Sequence, residues 1–314
     1  MFIKSSKIYV AGHNGLVGSA IVRELKKKGY KKIITASKKK LDLTNPTKTL
    51  QFLKQKKPVF IFIAAAKVGG IYSNSKFKAD FIYQNLSIQS SLIHGAYLSG
   101  IKNLIFLGSS CVYPRNCKQP IKESYLMKGK LESTNDSYAI AKIAGIKMCQ
   151  SYNDQYKTNY LSLMPTNTFG NNDNYNELNS HFFPALIKKT HDLKINKLSK
   201  LKLWGNGLAK REVIHVDDLA NACVYFMNKK TKHSLINIGT GVDYNIKYYA
   251  NLMRKIILPN RKILIEYDNS KPNGTPRKVL DVSLAKKYGW KYNINLKDAI
   301  IKTYKSYLNE LNNR

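Results

Sequence analysis

Lys7-Ile8-Tyr9-Val10-Ala11-Gly12-His13-Asn14-Gly15-Leu16-Val17-Gly18 passes from an apolar, β-branched run into three glycines spaced three residues apart, and residues 16–28 continue with helical periodicity. Strand, glycine loop and helix in that order open a doubly wound α/β fold. Gly12 permits the tight turn, Gly15 lets the backbone approach a pyrophosphate, and Gly18 lets the helix pack closely on the sheet. The helix N-terminus adds unpaired N–H groups and the positive end of its dipole. Gly12, His13, Asn14, Gly15, Leu16, Val17 and Gly18 are therefore the first candidate contacts of a dinucleotide.

The rest of the chain supports that reading. Short β-branched runs at 7–11, 32–35, 59–64, 103–108 and 159–163 alternate with helical patterns at 16–28, 47–56, 79–100 and 137–155, which implies a parallel sheet covered on both faces. Beyond about residue 170 an Asn-rich loop, a helix at 182–193 and a strand at 201–203 suggest a smaller α/β substrate-binding domain. A strand at 212–215, a helix at 216–227 and a strand at 235–238 would return to the main sheet. The expected division is a Rossmann domain of residues 1–170, with 212–240 returning to it, and a substrate domain of 171–211 and 241–314. At the end of the second strand, Thr35-Ala36-Ser37-Lys38-Lys39-Lys40 has no acidic residue to hold ribose hydroxyls. Ser37 and Lys38 instead favour a 2′-phosphate, and so NADP(H); the plain alternative is a solvated lysine loop. Asp42, farther along, is placed to meet the adenosine.

The 314 residues are 43% hydrophobic, 23% charged and 11% aromatic, which fits one large or two modest globular domains and excludes disordered, collagenous and small disulfide-stapled classes. Fifty-three Lys and Arg against 19 Asp and Glu leave a formal charge of +34. A nucleic-acid role would need those charges clustered, but the longest lysine runs, 26–28 and 38–40, are short, and Lys greatly outnumbers the Arg that reads phosphates and bases. An anionic small substrate fits better, with no specific nucleic acid expected. No apolar leader opens the chain and no window reaches the eighteen apolar residues of a membrane span, so a soluble, cytoplasmic protein is expected. The cysteines at 111, 117, 149 and 223 form no CxxC and no metal spacing. Cys149 and Cys223, in apolar helices, are expected to be small buried hydrophobes, and Cys117 has no assigned role.

Tyr138 and Lys142, four residues apart on a helix, share one face. An ammonium beside a phenol is expected to lower a pKa that is ordinarily about 10, and the same Lys can hold a cofactor ribose. Tyr-x-x-x-Lys alone is a common surface pattern. Downstream of a glycine loop, and of Gly108-Ser109-Ser110-Cys111 at a strand's carboxyl end, it marks a reaction centre.

This constellation resembles the extended short-chain dehydrogenase/reductases, and more closely the branch of that family that epimerises and reduces GDP-4-keto-6-deoxy sugars. The matching stretches are Ala64-Ala65-Ala66-Lys67-Val68-Gly69-Gly70-Ile71, Leu107 to Pro114, Ser137 to Lys147, Met164 to Asn167, Asn179-Ser180-His181, Arg211 to Asp218 and Lys271 to Lys278, in the family's order along nearly the whole chain. The resemblance implies NADPH-dependent 3,5-epimerisation and 4-reduction of GDP-4-keto-6-deoxy-D-mannose to GDP-L-fucose. Cys111 would be the epimerising base and His181 the acid, Tyr138 the proton donor to C4, Ser109 the partner of the C4 oxygen, and Lys142 the cofactor's anchor. It further implies cofactor contacts from Leu107, Gly108, Ser110, Pro165, Thr166, Asn167, Thr168 and His181. Substrate contacts would come from Lys189, Trp204, Arg211, Lys271 and Arg277, and a homodimer would pair helices 79–100 and 137–155 across a twofold axis. Four residues depart from the branch, among them Asn171, where Pro is usual, and Val213, where Phe is. Asn14 stands where Arg is common, so 2′-phosphate recognition rests on Lys38 and its neighbours, and Lys189 replaces an Arg, which loosens bidentate anion binding.

Two alternatives stand beside this one. A redox-neutral sugar-nucleotide 4-epimerase or 4,6-dehydratase would hold NAD tightly and have no use for the Cys111 and His181 pair. A non-catalytic dinucleotide-binding protein would bind RNA or another polyanion with a steep salt dependence.

Overall fold

The computed structural model describes residues 2–176, 179–271 and 274–313; Pro272 and Asn273, in the last matching stretch, lie outside the described residues. The first half alternates as its periodicities dictate: β1 (Ile8–Ala11), α1 (Leu16–Lys27), β2 (Ile33–Ile34), α2 (Pro46–Lys56), β3 (Phe60–Ile63), α3 (Ile71–Lys76), α4 (Lys78–Leu98), β4 (Asn103–Leu107), α5 (Asp136–Tyr156) and β5 (Asn159–Pro165). Then follow β6 (Asn167–Phe169), α6 (Phe182–Ile195), β7 (Lys200–Trp204), β8 (Lys210–His215), α7 (Val216–Met227), β9 (Leu235–Ile238), β10 (Asp243–Asn245), α8 (Ile246–Ile257), β11 (Leu264–Asp268), β12 (Arg277–Lys278), α9 (Ser283–Lys287) and α10 (Leu296–Asn312). Local chemistry sets several boundaries. Asn45 caps α2 by accepting from Lys48 N, with Pro46 in the first turn, and Asn245 and Asn295 cap α8 and α10 in the same way.

β1, β3 and β9 are buried at every position, as strands with helices on both faces must be. They join β2, β4 and β5 in a six-stranded parallel sheet of order β2-β1-β3-β4-β5-β9. Ile21 and Leu25 of α1 with Leu219 and Phe226 of α7 fill one face. Leu53 of α2, Leu92 of α4 and Ile146 of α5 fill the other. From β1 the chain steps to β2 on one side and then crosses to β3 on the other, so a crevice opens where the carboxyl ends of β1 and β3 diverge.

The strand expected at 212–215 does not rejoin this sheet. β8 pairs with β6, β10 and β12 instead, while α7 and β9, which follow it, do return to the main sheet. The reason lies at Glu212. Its main-chain oxygen accepts from Thr166 Oγ1 at 3.1 Å and Asn167 Nδ2 at 2.8 Å, which binds β8 to the chain leaving β5. Its buried carboxylate accepts from Thr240 N, Gly241 N and Leu280 N at 2.6–2.8 Å, tying in the loop after β9 and the chain after β12. β7 and β11 form a separate parallel pair. A third core, with Phe183 and Ile187 of α6, Tyr249 of α8 and Ile300 and Tyr307 of α10, lies beneath these smaller sheets. No described helix is long and apolar enough to cross a membrane.

Candidate active site

The glycine loop occupies the crevice. Gly12 has φ +87°, and a Cβ there would lie 2.6 Å from Ala65 N, so the turn out of β1 presses on the chain leaving β3. A Cβ at Gly18 would lie 2.1 Å from Gly12 O, which makes this glycine the closest packing of α1 on the loop. At Gly15 a Cβ would meet only Gly12 O, at 3.5 Å, so the space over the loop is open. Gly15 is also the N-cap of α1. It offers no side-chain acceptor, and the first turn holds no acidic residue, so the helix's first N–H groups remain available to an anion. These features fit a dinucleotide pyrophosphate. Lys38 is exposed beyond β2, as is Asn14 on the loop. Asp42 is occupied locally, accepting from Thr44 N and Oγ1 at 3.0 and 2.8 Å, and these bonds hold its carboxyl below the usual range.

Ser109 and Cys111 leave the carboxyl end of β4, in a single 3-10 turn that Ser109 Oγ caps by accepting from Cys111 N at 3.2 Å. Tyr138 and Lys142 lie on α5, one turn apart. Lys142 is buried and donates to Leu107 O at 2.7 Å, its ammonium pulled down to about 7 by desolvation. Its Nζ also lies 5.9 Å from the centre of the Tyr138 ring. Burial pushes the Tyr138 hydroxyl above the ordinary phenol range, the charge on Cys111 adds to this, and hydrogen bonding with Ser109 offsets only part of it. Burial thus favours the neutral phenol at Tyr138.

Cys111 differs from the other cysteines. Its sulfur accepts from Asn135 Nδ2 at 3.3 Å and from Lys278 Nζ at 3.4 Å. Burial alone would push the thiol up, but Lys278, hydrogen bonding with Ser109, and Arg211 together outweigh it and bring the thiol below its ordinary value. Burial takes Cys149 up to about 12 and Cys223 higher still, as befits two core side chains, and it raises Cys117 as well. Asn135 is the N-cap residue of α5 yet does not cap it, and its Oδ1 is buried without a partner. Asn is a favoured N-cap residue, so one that leaves its helix uncapped and turns to a sulfur is a departure that local sequence hid. Lys278 was hidden as well, being one lysine among many. Its neighbour Arg277, expected at the substrate, donates to Asp243 through two hydrogen bonds of 2.7 and 3.0 Å, and strand alternation turns Lys278 the other way.

His181 is the N-cap residue of α6 and keeps an exposed surface, while desolvation of its ring and the Lys278 charge hold it below the ordinary imidazole value. The Lys-Val-Gly-Gly segment presents it. Gly70 N donates to Asn179 O at 2.9 Å, Ser73 Oγ bonds Asn179 Oδ1, and a Cβ on Gly70 would lie 2.4 Å from Ser180 O. Arg211 donates to Thr275 O and lies within electrostatic reach of Cys111. Lys189 and Lys271 form a second group, each with Nζ 5.8 Å from the ring centre of half-exposed Trp204. The side chains of Thr166 and Asn167 are engaged by Glu212. His215 caps α7, Nδ1 accepting from Asp217 N at 3.2 Å, a structural role.

Comparison with known proteins follows the same span. The chain is 46% identical over 311 residues to GDP-L-fucose synthase 1 of Arabidopsis thaliana, covering 99% of this chain and 96% of that protein. It is 42% identical over 315 residues to GDP-L-fucose synthase of Escherichia coli (strain K12), covering 98% of each. The solved structure of a GDP-mannoheptose C4 reductase from Campylobacter jejuni with NADP bound is 36% identical, with a TM-score of 0.89 over 98% of this chain and all of that one. Residues 8–239, from β1 to the end of the six-stranded sheet, match a single family, and with its glycine turn at the switch point and its Ser, Tyr and Lys at the sheet's carboxyl edge the chain belongs to the NAD dependent epimerase/dehydratase family.

Proposed function

We propose that this chain converts GDP-4-keto-6-deoxy-D-mannose to GDP-L-fucose, inverting C3 and C5 and reducing C4, with NADP(H) as cofactor. The observation that carries this reading is a cation-paired thiol, Cys111, beside Ser109 and Tyr138. A redox-neutral 4-epimerase has no step for such a base. The full-length likeness to GDP-L-fucose synthases supports the same reaction.

In a 4-keto sugar the protons on C3 and C5 are both α to the carbonyl. Cys111 takes each as base and His181 returns a proton to the opposite face, while Ser109 hydrogen-bonds the C4 oxygen and stabilises the enolate. When bound along the glycine loop, the reduced nicotinamide supplies the hydride for C4. Tyr138, kept protonated by burial, donates to the new alkoxide. Lys142 holds the cofactor's ribose. Lys38 takes the 2′-phosphate, and Leu107, Gly108, Ser110 and Pro165 to Thr168 line the nicotinamide side. Lys189, Trp204, Arg211 and Lys271 hold the GDP portion, and Arg277 braces β12 through Asp243.

The two sites meet between a cofactor part, residues 1–170 with α7 and β9, and a substrate part built on the smaller sheets. We read the exposed outer faces of α4 and α5, with Tyr83, Ile140 and Tyr156, as the contact of a homodimer. We take the reaction to run in the cytoplasm, and the +34 charge to be surface composition that favours anionic substrates, with no nucleic-acid partner.

The test is NADPH oxidation with GDP-4-keto-6-deoxymannose, NADH as comparator and the product identified by NMR. Tyr138→Phe should stop NADPH oxidation yet leave solvent deuterium entering C3 and C5, whereas Cys111→Ser should stop that exchange. Exchange undiminished in Cys111→Ser would remove Cys111 as the base.

A further inference from the structure

We propose that Lys278 is a positioning residue of the epimerisation step: its ammonium, brought against Cys111 Sγ by β12, holds the sulfur as the thiolate that takes the sugar's α-proton. This rests on the epimerase-reductase reading above and adds a residue to it.

The geometry is direct. Lys278 Nζ lies 3.4 Å from the sulfur and has no carboxylate within salt-bridge distance among the described residues. An opposite charge within about 4–6 Å favours an ionised group by about 1–3 pH units, more than enough to counter the burial of a thiol. The placement is also built. Lys278 is in register with Arg211 on β8, Val279 N donates to Gln119 Oε1 at 2.9 Å, Val279 O accepts from Ile121 N at 2.8 Å, and Leu280 N donates to the Glu212 carboxylate at 2.8 Å. The backbone around Lys278 is thus fixed by bonds to two other segments, 119–121 and β8, so the ammonium is aimed rather than drifting.

Other groups around the sulfur do not replace it. Asn135 donates a neutral N–H, and Ser109 a hydroxyl. Tyr138 is neutral, and Arg211, the second cation in reach, shares its charge with Glu132 and gives its N–H groups to Lys210 O and Thr275 O. Lys278 also acts on His181 and Cys117. In the reaction the C3–H or C5–H bond breaks and an S–H bond forms. The electron pair moves into the enolate with its charge on the C4 oxygen, and His181 supplies the replacing proton. Both groups then return to their starting states by exchange with water, which is how deuterium enters the product. Lys278 stays an ammonium throughout and transfers nothing.

The first arm of the test needs no substrate. In a Cys117→Ala background, the rate of Cys111 alkylation by iodoacetamide is followed against pH by peptide mass spectrometry. The expected midpoint lies below that of an ordinary cysteine, about 8.5, and Lys278→Met moves it up by about one unit or more, leaving about tenfold less thiolate near neutral pH. Lys278→Arg restores it, and thermal melting with NADPH binding verifies that the variants are folded. The second arm measures deuterium entry at C3 and C5, which should slow about tenfold in Lys278→Met near neutral pH and recover as pH rises. An unmoved alkylation midpoint in folded Lys278→Met overturns the proposal whatever the sugar does. No exchange by the unmodified enzyme overturns the epimerase-reductase reading, and with it the assignment of Lys278 to that step.

Discussion

Gly70→Ala adds a single methyl group at a position whose backbone, φ −69° and ψ −177°, any residue adopts, so its effect comes from collision and not from strain. The new Cβ would lie 2.4 Å from Ser180 O, a backbone atom with no rotamer to yield. A carbon–oxygen contact needs about 3.4 Å, so the 179–181 segment must retreat by about 1 Å, carrying His181 with it. A reacting group misplaced by about 1 Å costs on the order of 100-fold. Deuterium entry at C3 and C5, followed by NMR, should therefore fall about 10- to 100-fold in Gly70→Ala. The overpacking should cost about 1–3 kcal/mol in urea unfolding. The glycine loop at 12–18 does not touch this contact, so NADPH affinity should hold. A folded Gly70→Ala that exchanges deuterium at the parent rate would show that the Lys-Val-Gly-Gly segment does not position His181.

Two further outcomes are expected. The His215 side chain is fully buried, with its ring held down to about 4 by desolvation. Above the unfolded value of 6.5 neither state is charged. As pH falls through the window from 6.5 to 4, the unfolded chain binds a proton the folded one refuses, and stability declines by up to about 3 kcal/mol. Asn at 215 keeps a cap acceptor but does not titrate, so His215→Asn should flatten the acid side of the stability curve in urea titrations; an unchanged slope would locate the acid sensitivity elsewhere. Trp204→Ala removes the ring shared by Lys189 and Lys271, and at about 0.5–1 kcal/mol for each of the two cation–π contacts KM for the GDP-sugar should rise about 5- to 30-fold with kcat little changed. A fall in kcat alone would place Trp204 at the reaction centre instead.

The main sheet was legible because its strands are apolar on both faces and its first loop carries glycines whose spacing has a steric meaning. β8 was not, since Val213-Ile214-His215 is as buried as a main-sheet strand. What sends β8 elsewhere is a set of hydrogen bonds to Glu212 from residues up to 68 positions away. The reaction centre divides in the same way. Helical spacing brought Tyr138 and Lys142 to one face, but the direction of the Lys142 ammonium, toward Leu107 O, depends on a strand 35 residues earlier. Lys278 reaches Cys111 across 167 residues, and in a chain with 53 basic side chains nothing local distinguishes it. Asn135 was equally silent, because the vacant cap becomes visible only in three dimensions.

Glu212 fastens residues 166–167, 240–241 and 280 to one another, and these belong to both parts of the protein. Substrate preference in such a chain is therefore not a cassette. A chimera that grafts the small sheets of a relative onto this sugar-nucleotide scaffold has no clean crossover point, because any junction between 165 and 281 severs a knot that both parents tie with their own partners. Specificity should change by substitution at single side chains around Trp204 and Lys189, while recombination between divergent relatives should give insoluble protein.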